Sequence, residues 1–290
     1  MIAETLAIVS SFFIGFNTIL VKKSIVKTNA TTAMLMVTLA GTIIFWIISL
    51  AFIPFYFLKS KALFFFIVAG VFSPALVRWL YYVSLDRIGA SISSSILATG
   101  PAFAALMALI LLDERPTVEI WLGIFLIITG IVLLEREISL NENQTKNRKR
   151  KDLIIPLLAA ISFGCAIVFR KMGLNILNSP ILGVTAGFTT SLFIYLITLA
   201  FFKRFRDSLS FDRSDLSLFI IAGFSLAIGW LSIFYALSYG NVSIVAPLTN
   251  LHPLFVLVLS YLFIGDIERI TPRIVIGALT VVLGVIMITF

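Results

Sequence analysis

The sequence predicts an all-α integral membrane protein with ten transmembrane helices, arranged as two five-helix inverted repeats. Three observations lead to this fold class. The chain is 60% hydrophobic and 12% charged, with a mean hydropathy of +1.10, whereas soluble domains are about 25% charged. Ten apolar runs of membrane-spanning length follow one another along the chain. The second half also repeats the residue pattern of the first.

The apolar runs are each close to the ~20 residues that cross a bilayer core. Because lipid offers the backbone no hydrogen-bond partners, each run is predicted to be a helix; strands of a barrel would alternate polar and apolar residues. The first run is interpreted as a retained span, since it is longer than the ~7–15 residues of a signal-peptide core. The predicted spans are 3–21, 32–53, 62–85, 89–112, 117–134, 153–171, 180–202, 215–238, 242–264 and 271–290.

The longest polar stretch lies near the middle of the chain. Residues 137–152 include Arg148-Lys149-Arg150-Lys151 and are predicted to form a basic linker loop. The linker separates a first five-helix repeat, residues 1–136, from a second one, residues 153–290.

The two halves match at fixed offsets. A shift of 152 residues aligns Pro101 with Pro253, Ser91 with Ser243 and the turn at Asp113-Glu114 with Gly265-Asp266. A shift of 154 aligns Gly123 with Gly277 and Gly130 with Gly284, and near the start of each half a shift of 149 aligns Gly15 with Gly164 and Lys22 with Lys171. The constant order of these matches indicates a duplication.

Five helices per repeat is an odd number, so the second repeat must enter the membrane in the opposite sense. Inverted repeats are a common plan among transporters, in which two related halves move around a site near the bilayer midplane.

Composition also excludes several kinds of site. The single cysteine, Cys165, and the single histidine, His252, cannot supply a His/Cys metal cluster, and we expect no cofactor. The net charge of +8 is carried by short loops between apolar runs, a pattern that membrane insertion produces, so nucleic acid is not an expected partner. The expected partners are membrane lipid and a small-molecule substrate, and the protein is expected to be a monomer or a homodimer in the cell membrane.

Three features recur in each half. The first helix has a small-residue step and a basic end, the third has an aromatic element near its end, and the fourth runs through a proline to an acidic turn before a glycine-bearing fifth helix. The residues are Gly15-Phe16-Asn17 with Lys22, Tyr82-Val83-Ser84-Leu85, and Ser91, Pro101, Asp113-Glu114, Gly123 and Gly130 in the first half; they are Gly164-Cys165-Ala166 with Arg170-Lys171, Phe234-Tyr235-Ala236-Leu237, and Ser243, Pro253, Gly265-Asp266, Gly277 and Gly284 in the second.

This ordered set resembles the EamA-type members of the drug/metabolite transporter superfamily over essentially the whole chain. Two positions depart from the family pattern: Ile14 replaces a frequent tryptophan, and Asp113-Glu114 replaces the usual Gly-Glu. The resemblance implies a ten-helix permease for small metabolites such as amino acids, sugars, nucleotide-sugars or drugs, and it does not choose among them.

Arg78 is the most informative candidate site residue, because it lies well inside the third apolar run. One interpretation is a cavity arginine whose planar fork holds a carboxylate or phosphate. The alternatives are snorkelling to the interface or pairing with Asp86. Arg78 lies about eight residues from the helix end, roughly 12 Å at 1.5 Å per residue, which is long for snorkelling.

The other polar candidates also lie inside apolar runs. His252 could handle protons or bond a carbonyl freed by Pro253, and Asn17 and Asn250 could bind substrate or link helices. Ser91 and Ser95 share one face of the fourth helix, where small residues also serve close packing.

Three aromatic residues, Tyr82, Trp230 and Tyr235, could line a cavity or anchor helix ends at the interface. The candidate substrate-binding set is therefore Arg78, Asn17, Tyr82, Ser91, Ser95, Trp230, Tyr235, Asn250 and His252. We expect a cavity near the midplane, lined by the first, third and fourth helices of each half, with the fifth helices outside it.

No aspartate or glutamate lies deep in an apolar run. Proton-driven cation exporters usually keep a buried carboxylate, so a neutral or anionic substrate fits better. The predicted function is a secondary transporter that works by alternating access. The alternatives are a lipid-linked sugar flippase or another lipid-type carrier on the same fold, and, less favoured, an intramembrane enzyme, for which no G-x-S-x-G step accompanies His252.

Orientation is left open by two conflicting indications. Ten spans place both termini on one side, and the resemblance implies that this side is cytoplasmic. The positive-inside rule favours the reverse. Five basic residues are assigned to the loops on the side of the termini, Lys59, Lys61, Arg115, Arg170 and Lys171. Sixteen are assigned to the other side, Lys22, Lys23, Lys27, Arg87, Arg136, Lys146, Arg148, Lys149, Arg150, Lys151, Lys203, Arg204, Arg206, Arg213, Arg269 and Arg273.

Overall fold

The computed structural model describes residues 1–24, 30–88, 90–140, 150–201, 209, 216–263 and 272–289. Within these ranges, nine helices are long and apolar enough to cross a membrane, and the fifth span adds a shorter apolar helix over Val118–Leu134. These ten spans confirm the predicted fold class.

The spans are numbered first to tenth along the chain. The third, fourth and ninth spans are each made of two helices, and the third has a π-helical turn, Val71–Leu76, between them. Short 3-10 helices occupy Phe55–Lys59 and Arg150–Leu153. The bounds are Ile2–Ser24, Ala30–Phe52, Ala62–Gly70 with Val77–Ile88, Ala90–Leu97 with Gly100–Leu111, Val118–Leu140, Ile154–Ile176, Pro180–Phe201, Leu216–Tyr239, Val242–Thr249 with His252–Phe263, and Pro272–Thr289.

Prolines explain the breaks in the fourth and ninth spans. A proline disfavours helical geometry in the residue before it, and it suits the first turn of a new helix. The second helices of these spans begin at Gly100 and His252, each followed by a proline. The two breaks lie 152 residues apart, so they are equivalent in the repeat.

The break in the third span has no counterpart in the other half. Ser73, which precedes Pro74, has extended backbone angles of φ −147° and ψ 128° inside the span. The equivalent position, Ser225, lies within the unbroken eighth span, where Leu226 replaces the proline. The two halves therefore differ near the middle of the membrane.

The fifth and tenth spans pack through glycines and reveal the symmetry. A Cβ on Gly123 would lie 2.8 Å from the carbonyl oxygen of Gly284, and a Cβ on Gly130 would lie 2.7 Å from that of Gly277. The pairing runs in opposite order along the two helices, so they are antiparallel. An axis along the membrane normal would make equivalent helices parallel. The repeats are therefore inverted, with their pseudo-two-fold axis in the membrane plane.

A second set of contacts obeys the same symmetry. A Cβ on Gly15 would lie 3.0 Å from the Cβ of Phe255, and a Cβ on Gly164 would lie 3.1 Å from that of Phe103. The first span thus packs on the ninth as the sixth packs on the fourth. The first also packs on the eighth, and the sixth on the third. Because the first span of each half packs against spans of the other half, the two halves are interlocked.

Candidate functional site

The sixth span contains a buried arginine that the sequence interpretation misplaced. Residues 170 and 171 were predicted to end the span and were counted in a loop, but the helix continues to Ile176. Arg170 is only 2% exposed. The assignment of Arg170 and Lys171 to a loop was therefore wrong, because both side chains find partners within the helix bundle.

The guanidinium of Arg170 touches the third and eighth spans. Its Nη2 donates a hydrogen bond of 2.8 Å to the carbonyl oxygen of Ser73. Its Cζ lies 4.6 Å from the ring centroid of Trp230 and 5.7 Å from that of Phe234. None of the ion pairs between described residues includes Arg170.

The position of its partners places this guanidinium near the bilayer midplane. Ser73 lies about three turns after Ala62, roughly 16 Å along the third span. Trp230 lies about two and a half turns before Tyr239, roughly 13 Å along the eighth. The hydrocarbon core is about 30 Å thick. A charge at this depth costs about 2.5–3.5 kcal/mol on insertion scales, so its retention indicates a specific role.

The break in the third span is held by polar side chains of its neighbours. Besides the bond from Arg170, the hydroxyl of Tyr195 donates to the carbonyl oxygen of Pro74 at 3.1 Å, and that of Ser191 donates to Gly70 at 3.0 Å. Irregular backbone at this depth persists only where its polar groups are satisfied. The break is therefore part of a built polar region.

Glu114 links the halves at the side of the membrane where the first span begins, called here the terminal side. Its carboxylate accepts hydrogen bonds from the backbone N–H groups of Val242 and Ser243, at 2.6 and 3.0 Å, and from the Ser243 hydroxyl at 2.8 Å. These groups start the ninth span, where a carboxylate complements the exposed N–H groups and the helix dipole. The sequence interpretation treated Glu114 only as a turn residue.

Lys171 makes the complementary contact next to Glu114. Its ammonium donates to the carbonyl oxygens of Leu237 and Gly240, at 2.7 and 2.9 Å, where the eighth span ends. A cation there satisfies the last carbonyls of the helix. Lys171 and Glu114 thus hold both sides of the turn between the eighth and ninth spans.

A cavity of about 270 Å³ opens at the same end of the bundle. Tyr235 lines this cavity, and cavity lining was one of the two roles considered for it from the sequence. The predicted cavity at the midplane is a different one and stays a prediction. The lining residues are Asn178, Ser179, Pro180, Ile181, Tyr235, Ser238 and Tyr239.

The two candidates Arg78 and Asn17 each contact another span. Arg78 is half-buried, and its Nη1 donates to the hydroxyl of Thr38 at 3.3 Å. The amide of Asn17 donates to the carbonyl oxygen of Ala222 at 2.7 Å, which ties the first span to the eighth. Trp230 is buried beneath Arg170 and does not act as an interfacial anchor.

The remaining candidates lie near the breaks of the fourth and ninth spans. His252 is the first residue of the helix that follows the ninth-span break. Asn250 lies in that break. The hydroxyl of Ser95 is buried and has no hydrogen-bond partner among the described residues. The side chains of Tyr82 and Ser91 lie outside the described part of the structure.

Arg170, Glu114 and Lys171 were not among the site residues predicted from the sequence. One signal was available in the sequence, because the repeat aligns Lys171 with Lys22. A basic residue at equivalent positions of the two halves indicates a structural position in the helix and not a loop charge. Hydropathy alone assigns two adjacent charged residues to the end of a span, and it therefore placed Arg170 and Lys171 in a loop.

Known proteins share both the sequence pattern and the fold. The sequence profile of the EamA-like transporter family matches residues 1–136 and again residues 150–290. An uncharacterized protein of Methanocaldococcus jannaschii is 28% identical over 137 residues, which cover 47% of this chain and 95% of that protein. A relative of half the length fits a chain made of two repeats.

A crystal structure of another protein superposes with a TM-score of 0.79 at 14% identity, covering 99% of this chain and 95% of the other. That likeness shows a shared fold. The profile matches account for both halves and confirm the resemblance expected from the sequence. The chain therefore belongs to the EamA-like transporter family, whose members are membrane transporters.

Proposed function

We propose that this protein is a secondary transporter that moves a small neutral or anionic metabolite across the cell membrane by alternating access. The inverted repeat carries the proposal. The antiparallel pairing of Gly123 with Gly284 and of Gly130 with Gly277 relates the halves by an axis in the membrane plane. Two conformations that exchange the roles of such halves open the same central site to opposite sides.

The broken helices support a site near the midplane. Breaks occur in the third, fourth and ninth spans, and such breaks in transporters place free backbone groups beside a substrate. We place the substrate beside the breaks of the fourth and ninth spans, where Ser95, Asn250 and His252 lie. Arg78 lies in the second helix of the third span, after the break, and is a proposed contact for an anionic group of the substrate.

Contacts between the halves at the terminal side support a change of conformation there. Glu114 of the first half binds Ser243 of the second, and a Cβ on Gly240 would lie 2.5 Å from that of Ala3. We propose that the Glu114 contact is broken and remade during the transport cycle, because a substrate path on this side must part these segments.

The distribution of basic residues among the loops, once Arg170 and Lys171 are left out of it, supports a linker on the cytoplasmic side. With Arg170 and Lys171 inside the sixth span, only Lys59, Lys61 and Arg115 remain on the terminal side. The opposite side keeps its sixteen basic residues. The positive-inside rule then places the linker in the cytoplasm and the termini outside.

Uptake into proteoliposomes tests the proposed function. The purified protein would be reconstituted, and labelled amino acids, sugars, organic acids and sugar phosphates would be offered outside. We expect saturable uptake of at least one neutral or anionic compound above that of protein-free liposomes. Movement of a lipid-linked sugar between leaflets, with no uptake of any soluble compound, would replace the proposal with the flippase alternative.

A further inference from the structure

We propose that Arg170 binds the negatively charged group, a carboxylate or a phosphate, of the transported metabolite. This inference rests on the proposed transport function and narrows the substrate to an anion. It assigns the role to a residue of the sixth span that lies at the middle of the membrane and has no acidic partner among the described residues.

The positive charge of Arg170 is not neutralised by the groups around it. Arg170 is 2% exposed, and the groups around its guanidinium are a carbonyl oxygen and two aromatic rings. These contacts stabilise a cation without neutralising it. A buried guanidinium without a counterion is the arrangement that gains most when an anion arrives, because the pair then leaves no uncompensated charge.

The guanidinium of Arg170 has more N–H donors than its contacts with described residues use. A guanidinium has five N–H groups in one plane. In the described part of the structure Arg170 uses one of them in a hydrogen bond, to Ser73, and its Cζ lies 4.6 Å from the centroid of the Trp230 ring. The remaining N–H groups can therefore meet two oxygens of a carboxylate or phosphate in parallel. Arg78, which is only half-buried, is then an additional contact of the same anion and not its main binding group.

The terminal-side cavity is lined by the neighbour of a phenylalanine whose ring lies against Arg170. Tyr235 lines the terminal-side cavity, and the preceding residue, Phe234, has its ring 5.7 Å from the guanidinium carbon of Arg170. The ring of Phe234 meets that of Phe66 edge-on, with centroids 6.2 Å apart. An anion that enters from this cavity must therefore displace the ring of Phe234 to reach the guanidinium.

Binding to the purified protein in detergent tests the inference without any transport. The midpoint of thermal unfolding would be measured with phosphate, glycerol 3-phosphate, succinate or lactate, and with glycerol as the neutral probe. Wild type, Arg170→Gln, Arg170→Lys and the control Arg87→Gln would be compared. Arg87 is a suitable control because it is exposed and pairs with Asp152 at 3.0 Å.

We expect at least one anion, and not glycerol, to raise the midpoint of wild type and of Arg87→Gln, since a ligand of the native state stabilises it. Arg170→Gln should abolish the shift. Arg170→Lys, which keeps the charge and loses the fork, should bind the anion at least about tenfold more weakly.

Three results would overturn the inference. One is that no anion shifts the wild-type midpoint at millimolar concentrations. Another is an anion shift of the same size in Arg170→Gln and Arg170→Lys, whose unliganded midpoints alone are lowered; Arg170 would then only hold Ser73. Uptake of a neutral metabolite that is unaffected by Arg170→Lys would also refute the anion site while leaving the transport function intact.

Discussion

Glu114 and Ser243 join the two repeats, with the carboxylate of Glu114 accepting one hydrogen bond from the Ser243 backbone N–H at 3.0 Å and another from its hydroxyl at 2.8 Å. The two residues are 129 positions apart in the chain. This contact caps the ninth span with a residue of the other half, and it is the contact that we propose is broken and remade during transport.

Glu114→Gln should destabilise the protein by about 1.5–3 kcal/mol, the range for hydrogen bonds to a charged group. The amide would lose the charge and turn a donor toward one of the two backbone N–H groups of Val242 and Ser243. Thermal unfolding in detergent measures the loss. Glu119→Gln is the matched control, because Glu119 is exposed at the start of the fifth span. Equal stability of the two variants would contradict the capping role.

Gly130→Ala should destabilise the contact between the fifth and tenth spans by about 1–3 kcal/mol, as overpacking does. Its Cβ would lie 2.6 Å from Val281 Cγ2 and 2.7 Å from the carbonyl oxygen of Gly277. Gly187→Ala is the control, since its Cβ would meet nothing nearer than 3.8 Å. Unfolding midpoints in detergent compare the two. A Gly130 variant as stable as the Gly187 variant would argue against close packing at the two-fold axis.

Arg78→Lys should raise the half-saturation concentration for an anionic substrate at least about tenfold, equivalent to about 1.4 kcal/mol. The variant keeps the charge and loses the planar donor fork that now reaches Thr38. Membrane insertion of the Arg78→Lys variant should be normal, and Arg78→Ala should raise the half-saturation concentration further. Concentration-dependent uptake measures the effect, with Arg87→Lys as the control outside the proposed site. Equal uptake by Arg78→Lys would favour a snorkelling role.

A cysteine at Asn143 should be shielded from an impermeant thiol reagent in intact cells and labelled after the cells are opened. The expectation follows from the excess of basic residues on the linker side. The single native cysteine would be removed as Cys165→Ala. Labelling of Asn143→Cys in intact cells would place the linker outside and support the orientation implied by the family.

The fold could be predicted from the sequence because each span must bury its backbone in one continuous apolar run. The inverted relation also followed from the odd number of spans in each repeat. Helix ends were less certain, as the sixth span shows. Arg170 and Lys171 are satisfied by Ser73, Leu237 and Gly240, which lie on other spans and cannot be located by local hydropathy.

The candidate site could be predicted only in part. Proline positions marked the fourth- and ninth-span breaks, and the charge of Arg78 stood out in its apolar run. The role of Trp230 depends on the side chain of Arg170 packing over its ring, 4.6 Å away, and neither residue indicates the other in the sequence. Contacts between spans therefore decide which polar residues face one another, and only the fold reveals them.

Counterflow in proteoliposomes tests alternating access most directly. Proteoliposomes would be loaded with an excess of the unlabelled substrate found in the uptake screen, and a trace of labelled substrate would be added outside. A carrier whose single site faces each side in turn should accumulate label transiently above its equilibrium level, because the excess of unlabelled substrate inside occupies the inward-facing site and keeps labelled substrate from leaving. Label that approaches equilibrium at the same rate with or without internal substrate would contradict alternating access.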